Sequence, residues 1–201
     1  MPIPIKVYSD YVCPFCFLAE FPLKEAVQGK EVEVEWMPFE LRPAPNPTLR
    51  PEGQYLQQAW QKSVYPMAER MGVEIRLPRV SPQPHTDLAF EGFQNAKKRG
   101  KGNEYNDRIL RAFFQEEQDI GDLDVLVKLA EETGLDETDF RNALVSHKYR
   151  QKHQQALQHA QEIGVEAVPT FIIGNRVLTG VQDRETLERA IEEAAKVKQQ
   201  I

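Results

Sequence analysis

Hydrophobic and polar positions along this chain change period several times, and each change marks an element. Ile3-Pro4-Ile5-Lys6-Val7-Tyr8 is rich in β-branched and apolar residues and predicts a strand. Phe17, Leu18, Phe21, Leu23 and Val27 then recur as one face of a helix that Gly29 closes. Residues 32–39 alternate in their first half and predict a second strand. A strand, a helix and a strand in that order imply a parallel βαβ unit, whose two strands end on one edge of the sheet. Near the other end of the chain, Phe171-Ile172-Ile173, then Gly174-Asn175, then Arg176-Val177-Leu178 reads as a hairpin with a two-residue turn. Asp183 caps a last helix with Leu187, Ile191, Ala194 and Ala195 on its stripe.

Between the two strand regions the pattern is helical. Pro43, Pro45, Pro47 and Pro51 make a stiff connector where an insertion begins. Tyr55, Leu56, Ala59, Trp60 and Val64 share a helix face, which Pro66 kinks or ends. Further helices are predicted with caps at Thr86, Asn103, Asp122 and Asp136, and one more carries Tyr149, Ala156, Leu157, Ala160 and Ile163 up to Gly164. Phe113, Phe114 and Trp60 are either core or a groove for peptide side chains, and core is the better reading for the two phenylalanines. The organisation predicted is an α/β domain built from residues 1–42 and 164–201, with residues 43–163 as a helical insertion.

The candidate chemistry lies where the first strand gives way to helix. Cys13 falls at the helix start and Pro14 at its first position, where proline's missing N–H has no intrahelical partner to lose. A thiol there sees unpaired N–H groups and the positive end of the helix dipole, so the thiolate is favoured. Cys13-Pro14-Phe15-Cys16 places both sulfurs within one turn, the first more exposed and the second tucked against the helix. That suits attack by Cys13 on a disulfide and release by Cys16 from the mixed disulfide. A structural zinc site needs about four ligands, and no second pair of this kind exists. His147, His153 and His159 are six apart, about 240° around a helix between neighbours, so they form no metal face and read as solvated. His85 has no visible partner.

The second half of the site is Val168-Pro169-Thr170-Phe171, a proline at the entrance to an apolar strand. A cis Val168–Pro169 bond there leaves the Val168 peptide groups free to pair with a substrate lying beside Cys13. The parallel βαβ unit also brings Phe39, Glu40 and Leu41 to the Cys13 side. Glu40 is therefore a candidate proton acceptor for Cys16, with a solvated loop carboxylate as the more ordinary reading.

Ser9-Asp10-Tyr11-Val12-Cys13-Pro14-Phe15-Cys16, with Gly164-Val165 and Val168-Pro169-Thr170-Phe171, resembles the DsbA-like thioredoxin family. The match is nearest to its FrnE-type branch, which lacks a secretion signal. Trp36-Met37-Pro38-Phe39-Glu40-Leu41, Arg111-Ala112-Phe113-Phe114 with Asp119-Ile120, and Leu178-Thr179-Gly180-Val181-Gln182 extend the resemblance over nearly the whole chain. It implies a thioredoxin fold whose helical insertion sits over the two cysteines as a lid. It further implies a protein-disulfide oxidoreductase with Cys13 as nucleophile and Cys16 resolving, and with Pro14, Phe15, Val168, Pro169 and Thr170 framing the substrate. No bound cofactor is needed, because electrons pass between the Cys13–Cys16 pair and protein or low-molecular-weight thiols, glutathione among the candidates. DsbA itself has histidine between its cysteines; Pro14-Phe15 lacks that hydrogen-bonding group, so a less oxidising couple is expected.

Composition narrows the partners. With 25 Lys+Arg against 31 Asp+Glu and a net charge of −6, nothing steers the chain to nucleic acid or an anionic membrane. No apolar run approaches the ~20 residues of a membrane span, and Met1-Pro2-Ile3-Pro4 enters the first strand without a signal-peptide pattern. A cytoplasmic protein with a resting dithiol is the expectation. Two other readings stand beside it. Glutathione-dependent isomerases and transferases of the hydroxychromene-carboxylate and kappa classes look similar but usually carry serine at the first position. A redox-inert binding protein with an apolar groove is the other.

Overall fold

The computed structural model describes residues 2–199. Strand β1 (Ile3–Ser9) leads through a short loop into helix α1 (Pro14–Val27), which is followed by strand β2 (Val32–Pro38). Strands β3 (Thr170–Ile173) and β4 (Arg176–Thr179) and helix α9 (Arg184–Gln199) complete the sheet layer. The strand order is β2-β1-β3-β4. β1 runs parallel to β2 from Ile3 opposite Val32 to Ser9 opposite Pro38, and antiparallel to β3, with Tyr8 opposite Thr170. That last pairing positions the site. It sets the exit of β1, which feeds the cysteine loop, beside the entrance of β3, which the proline loop feeds.

Period-two alternation sorts the sheet residues between two cores. Ile5, Val7, Phe171 and Ile173 join the large core with α1, α9 and most of the inserted helices. Tyr8, Met37, Phe39 and Ile172 face the other way, onto Ala160 and Val165.

Every regular element between β2 and β3 is helical. Helix α2 (Gln54–Ala59), a π-helical turn (Trp60–Val64) and α3 (Tyr65–Met71) run on without a break. Pro66 therefore neither ends nor interrupts this helix. It cannot donate to the Lys62 carbonyl, and the widened turn that contains Lys62 gives its ring room. Helices α4 (Asp87–Lys98), α5 (Gly102–Phe114), α6 (Leu123–Glu132), α7 (Glu137–Val145) and α8 (Arg150–Glu162) follow.

Asp122 accepts from the Asp124 and Val125 amides, Asp136 from Asp139 and Asp183 from Thr186, as caps should. Two expected caps behave otherwise. Asn103 lies inside α5, which begins at Gly102. Thr86 sits at the start of α4 but turns its hydroxyl to Asp10 instead of the helix amides. Phe113 and Phe114 are fully buried core residues. No described helix is long and apolar enough to cross a membrane.

Candidate functional site

Cys13 is the N-terminal cap residue of α1, in extended conformation with Pro14 next in line. Its amide donates to the Asp10 carbonyl at 3.1 Å, and its own carbonyl accepts from Cys16 at 3.1 Å. The turn thus holds both sulfurs at the helix tip. Both are free thiols, Cys13 at 4% exposure and Cys16 fully buried. Burial pushes the Cys16 thiol well above the usual thiol range, and the neighbouring Cys13 sulfur adds to that; the Asp10 main chain and the Ser9 hydroxyl pull the other way. Cys16 is accordingly a protonated thiol until a base takes its proton.

Across the sheet edge, Cys13 Sγ lies 3.8 Å from the Val168 carbonyl, a contact between residues 155 apart in sequence. The Val168–Pro169 bond is cis. The loop that presents this carbonyl is braced on both sides. Thr170 Oγ1 donates to Ala167 O at 2.6 Å, and the Gly180 amide donates to Pro169 O at 2.8 Å. Thr170 and Pro169 are buried and support the loop, whereas Val168 reaches the cavity beside Cys13.

That cavity has a volume of about 340 Å³, within the range of small-ligand sites. Asp10, Cys13, Pro14 and Phe15 line it, together with Leu41, Arg42 and Leu49 from the proline-rich connector. Tyr55, Leu56, Ala59, Trp60 and Val64, from α2 and the π-helical turn, and residues 83–86 complete the lining. Residues between β2 and β3 therefore share this cavity with Cys13. Trp60 is 1% exposed and belongs to the core, whereas Tyr55 is 66% exposed and open to solvent.

Asp10 is the buried charge of the site. Its Oδ2 accepts from the Leu41 amide at 2.8 Å and its Oδ1 from Thr86 Oγ1 at 2.7 Å. One carboxylate thereby ties the cysteine loop to the exit of β2 and to the start of α4. Burial pushes its pKa up to about 6; the Leu41 and Thr86 hydrogen bonds oppose that and the nearby Glu40 charge adds to it.

Glu40 is neither solvated nor bonded to Cys16. Its side chain is 6% exposed and accepts from His153 Nε2 at 2.5 Å. His153 is likewise not a solvated helix residue: it is 3% exposed and stacks on Phe90, which stacks on Tyr11. Its Nδ1 has no partner among the described residues. His147 reaches Glu91, and His85 contacts the Asn46 carbonyl at 2.8 Å. Of the residues the sequence singled out, Cys13, Pro14, Phe15 and Val168 converge on the cavity, with Cys16, Pro169 and Thr170 behind them. Asp10, Arg42, Thr86 and His153 were not read as site residues. His153 had a usable signal, since it shares the buried α8 face with Tyr149 and Ala160 at spacings of four and seven residues.

Comparison with known proteins gives this arrangement its relatives. The model of the DSBA-like thioredoxin domain matches residues 4–192. The uncharacterized protein YwbO of Bacillus subtilis (strain 168) is 56% identical over 200 residues, 98% of this chain and 100% of that protein. The crystal structure of a probable DsbA oxidoreductase, SCO1869 from Streptomyces coelicolor, superposes with a TM-score of 0.82 at 24% identity, covering 96% of this chain and 90% of that one. A hydroxychromene-carboxylate isomerase shares the fold with a TM-score of 0.79 at 16% identity, covering 98% of each chain. The cytosolic disulfide reductase DsbM from Pseudomonas aeruginosa, solved with GSH, does so with a TM-score of 0.67 at 18% identity, also covering 98% of each.

Proposed function

The chain belongs to the DSBA-like thioredoxin family, and from that premise we propose that it is a thiol–disulfide oxidoreductase exchanging the Cys13–Cys16 pair with protein or low-molecular-weight thiols. The observation that carries this reading is the contact of Cys13 Sγ with the Val168 carbonyl at the cavity that both residues line. A substrate sulfur entering the cavity meets Cys13 first, with Pro14, Phe15 and Val168 around it and Pro169 and Thr170 holding the loop.

In the direction that reduces a substrate disulfide, the Cys13 thiolate attacks it, forming a mixed disulfide and releasing one substrate thiolate. Cys16 then gives up its proton and attacks the Cys13 sulfur, closing the Cys13–Cys16 bond and releasing the second thiolate. Two electrons pass from the dithiol to the substrate. Glu40 is committed to His153 and both carboxylate oxygens of Asp10 to Leu41 and Thr86, so neither is assigned the Cys16 proton, which leaves with the released substrate thiolate. The reverse sequence reduces the pair. Glutathione is a candidate co-substrate and the cytoplasm the compartment we favour, readings that the likeness to DsbM supports through the fold.

The test is capture of the intermediate. A Cys16→Ala variant mixed with disulfides, in vitro and in cells, should accumulate mixed disulfides on Cys13 that dithiothreitol releases. Insulin reduction by dithiothreitol should be faster with the wild-type protein than with Cys13→Ala. Equal rates, or glutathione-dependent isomerase or transferase activity that survives Cys13→Ser, would overturn the reading.

A further inference from the structure

Arg42 lines the cavity that holds Cys13, yet it makes no hydrogen bond or ion pair among the described residues. Arg50, Arg76 and Arg79 each hold a carboxylate, as most arginines of this acidic chain do. Arg70 shares the lack of a partner but does not line the cavity. The carboxyl in the cavity lining belongs to Asp10, and its two oxygens are taken by the Leu41 amide and the Thr86 hydroxyl. Arg42 is thus an exposed residue of the cavity lining whose charge is unanswered among the described residues.

Its backbone is tied down by the two residues before it. Leu41 is tied through its amide to Asp10, and Glu40 through its carboxylate to His153 at 2.5 Å. Asp10 and His153 are both buried, so the backbone that carries residue 42 is anchored beside the cysteine loop. The planar fork of a guanidinium suits a planar carboxylate. The rest of the lining joins apolar residues, Leu49, Leu56, Trp60 and Val64 among them, to the polar Thr48, Gln83 and His85.

We infer that Arg42 is a specificity residue that selects thiol and disulfide substrates carrying a carboxylate beside an apolar body. The inference rests on the oxidoreductase reading and names the substrate class of the same site. The carboxylate comes either from a free small molecule or from an acidic residue next to a cysteine in a peptide, and both present the same chemistry to Arg42.

The experiment follows the reaction of fully reduced protein with two aromatic disulfides of opposite character, anionic dithiobis-nitrobenzoate and neutral dithiodipyridine. Each rate is divided by that of free dithiothreitol with the same probe. Arg42→Gln should lower the anionic-to-neutral rate ratio about tenfold, the size of a lost charge-assisted hydrogen bond. Arg42→Lys should recover part of it, and added salt should shrink the ratio in the wild type more than in Arg42→Gln. A ratio that Arg42→Gln leaves unchanged would overturn the inference. If the wild type reacts with neither probe faster than Cys13→Ala does, the oxidoreductase reading falls as well. Two further arms separate the sources: glutathione disulfide, and a cystine-bridged peptide with Glu beside the cysteine compared with its Gln analogue. Sensitivity to Arg42→Gln in one arm identifies the source, and insensitivity in both counts against the inference.

Discussion

His153 Nε2 lies 2.5 Å from Glu40 Oε1, with both side chains almost fully withdrawn from water. Helix α8 is thereby locked to the segment leaving β2, the same segment that ties Leu41 to Asp10. Removing one member of such a pair leaves a buried polar or charged group alone, which typically costs about 3–5 kcal/mol. His153→Ala and Glu40→Ala should each lose that much in urea unfolding, and the double variant should lose clearly less than the sum of the two. Additive losses would show that the pair is not coupled.

Two buried carboxyls make stability depend on pH. Burial raises Asp10 from 3.8 to about 6 and Glu20 from 4.5 to about 7. Glu20 is partly relieved by Lys24 and by the Asn106 amide, which donates to it at 3.0 Å. A raised acid is protonated more readily in the folded than in the unfolded chain. Its stabilising effect is complete below the unfolded value and is lost as pH rises through the folded one. Unfolding free energy should therefore fall between about pH 4 and pH 7, by on the order of 3 kcal/mol for each group. Asp10→Asn and Glu20→Gln should each flatten part of that slope, measured by urea unfolding across the range. Slopes unchanged in both variants would contradict the assignment.

Gly92 has ordinary helical backbone, but a Cβ there would meet the Tyr105 hydroxyl inside van der Waals distance and Phe140 Cζ at 2.7 Å. Neither neighbour has room to yield. Tyr105 is buried and donates to the Ala89 carbonyl at 2.9 Å, and Phe140 is fully buried. Gly92→Ala should lower stability by roughly 1–3 kcal/mol through overpacking, despite alanine's better helix propensity. Thermal unfolding tests the sign, and a stabilised variant would refute the packing argument.

Much of this was legible in the chain because local signals and topology agreed. The strand before Cys13 and the strand after Pro169 announce themselves by composition, and the Gly174-Asn175 turn sets the register of β3 and β4. The buried polar groups were not legible. Asp and Glu are ordinarily exposed and His is intermediate, yet Asp10, Glu40 and His153 are each buried against a partner from a distant segment. Asp10 needs Thr86, 76 residues on, and Glu40 needs His153, 113 residues on. The six-residue spacing of His147, His153 and His159 carries no trace of the buried face that His153 shares with Tyr149 and Ala160. Pro66 misled for a related reason. The rule that proline breaks helices assumes regular turns, and the π-helical turn ahead of it removes the clash.

The cavity lining makes a last prediction about access. Ala59 is half-buried, lines the cavity and immediately precedes the π-helical turn, so a larger side chain there projects into open space and not into packed core. Ala59→Phe should leave unfolding free energy within about 1 kcal/mol of wild type, because nothing is overpacked. It should nevertheless narrow the approach to Cys13 for any substrate that needs the cavity. Exchange with bulky aromatic disulfides should then fall roughly tenfold or more, as when a pocket loses room for a few methylenes. Alkylation of Cys13 by iodoacetamide should be much less affected, since that reagent needs only the sulfur. Equal slowing of both reactions would mean that the substitution disturbs Cys13 itself. Slowing of neither would mean that substrates reach the sulfur by a route outside the cavity.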